Sequence, residues 1–349
     1  MSKQTQSKPD KLHSQALNLL RFPLAIVIIA MHIFTDMPAG YNTDNFPIFS
    51  AAISFLRAFL QHQSVPIYFF ISGFVFFLGL RTWDTDKWIK KIKNRKKTLL
   101  IPYLLWNSIC FLLSILYHRD FTNLDIISFI KSITITPSNY PLWFLKDLMI
   151  VVLFTPLLWQ LLKKGGKVVL FSFAALFLLK YFGVIKIYFP AQGLFFFSFG
   201  AYMSLNGKDM IAEFAKVSKF STFCYLVIGI IAMYFYNTDP QVFKILKFAL
   251  IIFGLFFAFN LSALLLKKGY CKVNNFLSSA SFFMYVSHAL VISTIQKILE
   301  IILHPVSDIS WLVVYILNLV LTVALLLSAY YLMQKYLPKL LTLLTGKKG

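Results

Sequence analysis

Charged residues are scarce in this chain of 349 residues, in which Asp, Glu, Lys and Arg together make up 13%. Soluble globular domains carry about a quarter of their residues as charged side chains. Hydrophobic residues reach 58%, and apolar runs of about 20 residues, the length that crosses a bilayer, recur from Leu17 almost to the C-terminus. The composition excludes a soluble domain and predicts a single membrane domain.

Acidic residues are especially few, because 13 Asp and Glu stand against 34 Lys and Arg, a net charge of +21. The basic residues lie mainly in short segments between apolar runs, so membrane topology explains the excess better than nucleic acid does. Cysteine is also rare, and Cys110, Cys224 and Cys271 are too widely spaced to suggest a disulfide framework or a metal cluster. We predict no nucleic-acid partner, no bound metal and no redox chemistry.

The apolar runs predict an all-α polytopic membrane protein of about ten transmembrane helices. We expect the spans near residues 17–35, 64–81, 99–117, 142–162, 168–183, 187–205, 220–236, 245–266, 279–299 and 311–334. With the N-terminus in the cytosol, every predicted inner segment is basic, which is the positive-inside pattern. Ten crossings then return the C-terminus to the cytosol.

The predicted organisation is a cytosolic N-terminal tail (1–16), a transmembrane domain (17–335) and a basic cytosolic C-terminal tail (336–349). The first apolar run has no cleavage signature close behind it, so we expect it to remain as an uncleaved anchor. Two longer outer segments, 36–63 and 118–141, are rich in aromatic residues, Asn, Ser and Thr and are expected to line an outer cleft. The amphipathic stretch Phe46–Leu60 predicts an interfacial helix.

The first span carries an arginine and a histidine, Arg21 and His32, eleven positions apart. At about 100° per residue this spacing equals three turns plus roughly 20°, so both side chains share one helix face about 16 Å apart along the axis. Ionisable groups inside a membrane are expensive and usually functional, and an imidazole is a common general base. Taken singly, Arg21 also fits a topological anchor and His32 an interhelical hydrogen-bond partner. Pro23 is expected in the first helical turn.

Other polar side chains interrupt the apolar runs at positions suited to substrates. Ser72 lies in an aromatic run of the second span, where close helix packing is the alternative explanation. Arg95 and Lys97 belong to a dense basic loop that suits either acyl-CoA phosphates or anionic lipid headgroups.

Two further spans carry candidate substrate contacts. Trp143 opens the fourth span and suits either a sugar ring or an aromatic belt. In the ninth span Tyr285 and His288 are three positions apart and share a face, although a structural histidine explains His288 equally well.

Taken together, these blocks resemble acyltransferase family 3, the integral-membrane enzymes that acylate bacterial surface glycans. The resemblance covers about 300 residues and rests on the Arg21–His32 spacing, the Val65-Pro66 to Ser72-Gly73-Phe74 block, the basic loop before Pro102, Trp143-Phe144, and Tyr285 to His288. Family members often have Asp three residues before the arginine, where this chain has Asn18. The local partner of Arg21 therefore differs.

The resemblance implies an O-acyltransferase of the bacterial cytoplasmic (inner) membrane with Arg21 and His32 as essential residues. It implies acyl-CoA, expected to be acetyl-CoA, as donor substrate with no bound cofactor, and a hydroxyl of an envelope polysaccharide or lipid-linked glycan as acceptor. Membrane lipids are the other expected partners. The alternatives are a glycan transporter or exporter, against which the absence of internal repeats argues, and a non-catalytic membrane subunit.

Overall fold

The computed structural model describes residues 11–34, 45–118 and 125–346, and these ranges contain helices and no β-strand. Parts of both predicted tails and of both long outer segments lie outside the described residues, at 1–10, 35–44, 119–124 and 347–349. The helices are α1 (Lys11–His32), α2 (Pro47–Ser54), α3 (Ser64–Phe77), α4 (Thr85–Arg95), α5 (Ile101–His118), α6 (Ile126–Thr134), α7 (Trp143–Leu153), α8 (Thr155–Tyr181), α9 (Ala191–Leu205), α10 (Met210–Ala215), α11 (Ser218–Thr238), α12 (Pro240–Lys267), α13 (Asn275–Leu303), α14 (Asp308–Tyr336) and α15 (Pro338–Thr345).

Six helical stretches of the described chain are long and apolar enough to cross a membrane, and α7 and α8 add a seventh if this pair, bent by 64°, forms one span. Their outward faces carry exposed apolar side chains such as Phe171, Phe223 and Val320, as lipid contact requires. α3 and α9, with 14 and 15 residues, are shorter. The predicted count of ten spans and the cytosolic termini stay predictions.

Helix α1 begins at Lys11, earlier than the predicted start at residue 17. Pro23 therefore lies in the helix interior, and its expected place in the first turn is wrong. A proline there removes one backbone hydrogen bond. Nearby, the Tyr68 hydroxyl donates to the Arg21 carbonyl oxygen at 2.8 Å, which ties this part of α1 to α3.

The basic segment predicted as an inner loop is largely helical. The Asp84 side chain caps α4 by accepting from the backbone N–H of Lys87 at 2.9 Å. A π-helical segment, Lys96–Leu100, then joins α4 to α5. Trp88 fastens α4 to α8, because its indole N–H donates to the Thr155 hydroxyl at 3.0 Å. The basic residues of this segment are thus held on an ordered helix.

Glycines bring α3 and α9 into direct backbone contact. A Cβ atom on Gly73 would lie 1.9 Å from the Phe197 carbonyl oxygen, and one on Gly200 would lie 2.1 Å from that of Phe70. Only glycine permits such an approach, which is the usual role of small residues between membrane helices. The Ser72-Gly73 pair therefore fixes the position of α3, the helix that carries Ser72 and Tyr68.

Two segments outside the predicted spans are also helical. The prediction of a helix at Phe46–Leu60 is confirmed by α2 and the π-helical segment Phe55–Leu60 that follows it. The C-terminal segment predicted as a tail contains α15, in which Leu341 and Leu344 are buried. The Trp106 indole N–H donates to the Leu344 carbonyl oxygen at 3.0 Å, so α15 is part of the packed structure.

Candidate active site

The end of α1 that carries His32 is held by three other elements. Arg57 donates to the carbonyl oxygens of Ile33, at 3.2 Å, and of Phe34. The Tyr315 hydroxyl donates to the Ala30 carbonyl oxygen at 2.9 Å. The Gln296 side-chain oxygen accepts from the backbone N–H of Phe34 at 3.3 Å. The bonds from Arg57 and Tyr315 satisfy carbonyl oxygens at this end of the helix, the bond to Gln296 satisfies a backbone N–H, and together they restrict the position of the imidazole.

His32 stacks on His288, with ring centroids 5.2 Å apart and planes 26° from parallel. We call these residues the histidine pair. His288 is fully buried, and its Nδ1 lies 2.6 Å from the Tyr285 carbonyl oxygen. Because a carbonyl oxygen only accepts, Nδ1 carries the hydrogen and Nε2 of the neutral ring is an acceptor. That Nε2 is buried and has no hydrogen-bond partner among the described residues.

A short turn, residues 139–142, closes over the histidine pair. The Tyr140 ring meets His32 edge to face, with centroids 4.9 Å apart. The Tyr285 hydroxyl donates to the Pro141 carbonyl oxygen at 2.5 Å, and the Asn139 amide donates to the Val286 carbonyl oxygen at 2.7 Å. The turn is therefore pinned to α13 on both sides of Tyr140.

A cavity of about 390 Å³ is lined by Tyr285, which lies one helical turn before His288 on α13, while the two histidines are not part of its lining. We call it the inner cavity, because its mouth is formed by α4 and α15, which belong to segments predicted to be cytosolic. Its lining includes Arg21, Ser72, Arg95 and Tyr285. Four of the predicted site residues, which come from four different helices, thus face one space.

The charges of the inner cavity are all of one sign. Arg21, Lys91 and Arg95 line it, and no Asp or Glu does so among the described residues. The Nζ of Lys91 and the guanidinium carbon of Arg95 lie 5.7 and 5.9 Å from the centroid of the Phe76 ring, a cation–π arrangement that orients both cations. The cavity is suited to an anionic group at its mouth and an apolar chain deeper inside.

A second cavity, also about 390 Å³, lies at the opposite ends of the helices. We call it the outer cavity, since Gln61, Trp143, Tyr181 and Gln192 in its lining lie near span ends predicted to face outwards. Val65 lines both cavities, so its side chain stands between them. On α1, Ile28 lines the inner cavity and Met31, next to His32, lines the outer one.

The predicted site residues thus divide among three places. Arg21, Ser72, Arg95 and Tyr285 line the inner cavity, and His32 and His288 form the histidine pair. Trp143 lines the outer cavity. Lys97 lines neither cavity and its side chain is exposed. The roles assigned to these residues stay predictions.

Several residues of the two cavities are absent from the predicted set. Tyr68 and Lys91 line the inner cavity, and His62, Asp147 and Lys247 line the outer one. A signal existed for two of them, because His62 stands in a polar run directly before a span and Lys247 interrupts an apolar run. Neither signal says which helices pack around the residue, and this packing is what makes the site.

The fold and the site define a class of protein: a multi-pass α-helical membrane protein whose histidine pair is carried by α1 and α13, two helices that also line its cavities. A family model described as an acyltransferase domain matches residues 14–331. The chain belongs to this family, acyltransferase family 3, and is a membrane-embedded acyltransferase. Membership of this family favours an acyltransferase over the alternative of a glycan exporter.

One similar curated protein is the succinoglycan biosynthesis protein ExoH of Rhizobium meliloti (strain 1021). The two sequences are 26% identical over 368 aligned residues, which cover 96% of this chain and 92% of the relative. No solved structure gives a significant match to the chain.

Proposed function

We propose that the protein transfers an acyl group, acetyl in the first instance, from acyl-CoA to a hydroxyl of an envelope polysaccharide or lipid-linked glycan. The proposed setting is the cytoplasmic membrane of a bacterium, crossed ten times with both termini in the cytosol. Family membership supports acyl transfer, and the relative's name, which refers to succinoglycan biosynthesis, supports a polysaccharide acceptor.

The observation that carries the proposal is that α1, the helix of His32, lines two cavities of different character. The inner cavity presents Arg21, Lys91 and Arg95 without a lining carboxylate, whereas the outer cavity presents aromatic rings and polar side chains around Trp143. The cations of the inner cavity suit a phosphate-rich donor, and the aromatic and polar side chains of the outer cavity suit a sugar. His32 lies on the helix that lines both.

The inner cavity supplies the groups that an acyl-CoA donor needs. Arginine forks and lysine point charges bind phosphate oxygens, and Arg95 and Lys91 stand at the mouth. Lys97, exposed beside them, adds charge at the surface. The pantetheine arm would pass Ser72 and Tyr285, and a cavity of about 390 Å³ falls within the roughly 300–1,000 Å³ range of small-molecule sites.

The proposed chemistry is general-base catalysis by His32. Its imidazole takes the proton of the acceptor hydroxyl, whose oxygen attacks the thioester carbonyl carbon. The new C–O bond forms, the C–S bond breaks, and the coenzyme A thiolate takes the proton held by His32, which restores the neutral imidazole. His288, stacked on His32 and with an acceptor Nε2, orients the base or the hydroxyl.

Topology also supports the proposal. The outer cavity is lined by the start of α7 and α9, the end of α8 and the first part of α12, and the sequence assigns all four of these places to the outer side. The inner cavity is lined by the start of α13 and by α4 and α15, which are assigned to the inner side, and it extends to Val65 and Phe144 near the outer-side starts of α3 and α7. A missed or extra span would break this agreement.

Inside-out membrane vesicles supplied with radiolabelled acetyl-CoA test the proposal. We expect label in the glycan fraction only in vesicles that contain the protein, because the donor then reaches the inner cavity directly. Vesicles from a deletion strain are the control, and succinyl-CoA and other acyl-CoA donors are run in parallel. Equal labelling with and without the protein for every donor would contradict the proposed reaction.

A further inference from the structure

The outer cavity holds more positive charge than its own side chains neutralise. Its charged and titratable lining residues are His62, Asp147, Lys180 and Lys247. Asp147 already accepts a hydrogen bond from the Tyr188 hydroxyl. Lys180 is also engaged, because its Nζ donates to the Ile187 carbonyl oxygen at 2.6 Å. Two side chains are left to face the cavity, Lys247 and His62.

Lys247 has no hydrogen bond or ion pair among the described residues, and it is largely enclosed by the surrounding helices. A cation withdrawn from water without a counter-charge is costly. The Nε2 of His62 is buried without a hydrogen-bond partner in the described part of the chain. His62 and Lys247 line the same cavity, so one ligand bound there faces both side chains.

The remaining wall of the cavity is aromatic. Trp143, Tyr181 and Phe189 line it together with Gln61 and Gln192, and Trp143 is 40% exposed. Aromatic faces with a few polar groups that fix orientation are the usual lining of a ligand pocket. Sugar rings present apolar C–H faces to such surfaces and hydroxyls to amides.

We infer that the outer cavity binds an acceptor glycan unit that carries a negative charge. Lys247 pairs with the anionic group, His62 makes a hydrogen bond to the same group or to a neighbouring hydroxyl, and Trp143 lies against the sugar ring. Since Met31, the residue before His32, lines this cavity, a sugar held there lies near the end of α1 that carries His32. This inference rests on the proposed function and specifies its acceptor.

The anion has two chemical sources, a carboxylate on an acidic sugar or a phosphate that joins the glycan to its lipid carrier. Both would pair with the ammonium group of Lys247. They are separable by chemistry, because carbodiimide activation followed by reduction converts sugar carboxylates to neutral alcohols, and mild acid hydrolysis removes the anomeric phosphate.

The test uses the full-length protein in lipid nanodiscs and glycan fragments prepared from a strain that lacks the protein. Binding is measured with untreated, carboxyl-reduced and dephosphorylated fragments. We expect removal of the relevant anion to weaken binding to the wild type about tenfold, the usual effect of losing a charge-assisted hydrogen bond. Loss on carboxyl reduction identifies an acidic sugar, and loss on dephosphorylation identifies the carrier phosphate.

Variants assign the effect to the cavity. Lys247→Met should bind all three preparations within about twofold of each other, whereas Lys247→Arg, which keeps the charge, should retain the preference. Lys186→Met is the matched control, because Lys186 is exposed at the same predicted face and lines neither cavity. Size-exclusion profiles establish that each variant is folded.

The inference is overturned if neutral and anionic fragments bind the wild type equally, if no fragment binds it, or if folded Lys247→Met keeps the preference. Should Lys247→Met fail to fold, the wild-type comparison and Lys247→Arg still decide the question. The proposed function fails separately, when deletion of the protein removes no acyl group from any glycan. Acylation without an anionic acceptor contradicts only the inference.

Discussion

At the scale of single residues, the proposed reaction depends on how the imidazole rings of His32 and His288 are arranged against each other. The Tyr285 carbonyl oxygen holds the hydrogen on Nδ1 of His288, which leaves Nε2 as the acceptor beside His32. The sequence pattern predicted that Tyr285 and His288 share a face, but only the packing of α1 against α13 shows that the second imidazole meets the first.

His288→Phe tests this arrangement, because phenylalanine keeps a flat ring against His32 and removes Nε2. We expect acyl transfer in vesicles to fall by about a hundredfold, within the range for a lost acid–base or orienting group, with unchanged protein levels. His304→Asn is the control, since His304 is exposed and asparagine tolerates its positive φ of 41°. Wild-type transfer by His288→Phe would show that stacking alone suffices.

Arg95 tests the inner cavity as the donor site. Arg95→Gln removes a cation that faces no acidic side chain among the residues that line this cavity, so its loss should weaken donor binding without disturbing the histidine pair. We expect KM for acyl-CoA to rise about tenfold or more, the effect of a lost charge-assisted hydrogen bond, and kcat to change little. Arg81→Gln, at an exposed arginine outside both cavities, should match the wild type. A fall in kcat at constant KM would contradict a donor-binding role.

At the scale of helices, the contact between α3 and α9 positions α3, a helix that lines both cavities. Gly200→Ala would place a Cβ 2.1 Å from the Phe70 carbonyl oxygen, so the helices must move apart. Such overpacking costs about 1–3 kcal/mol, and we expect a lower Tm in detergent. Gly165→Ala is the comparison variant, because its Cβ would lie 2.6 Å from a Val169 methyl carbon and near no backbone atom of another helix, so a side-chain shift relieves the contact. Equal Tm values for the two variants would argue against the close backbone contact.

The positions of the helices along the chain could be predicted only in part from the sequence. Apolar runs located α11, α12, α13 and α14, because long apolar helices carry a strong local signal. The helical character of the basic segment 85–95 and the docking of α15 were not predicted. Both depend on contacts with distant residues, Thr155 for α4 and Trp106 for α15, which no local pattern contains.

At the scale of the whole molecule, the positive-inside distribution predicts which cavity faces the cytosol. Cysteine labelling tests this in a variant without the three native cysteines. In intact spheroplasts, a membrane-impermeant maleimide should label Lys186→Cys, in a predicted outer turn, and leave Lys208→Cys, in a predicted inner segment, unlabelled. Permeabilisation should expose the second site. The reverse pattern would invert the cavities and contradict acyl-CoA access from the cytosol.

The ester-linked acyl content of envelope glycans, measured by mass spectrometry, tests the central claim most directly. A deletion strain is complemented with the wild type or with His32→Ala at matched membrane levels. We predict that the wild type alone restores one mass increment, which names the acyl group, and that His32→Ala restores about a hundredfold less or none. Full restoration by His32→Ala, or unchanged acylation in every strain, would contradict the account.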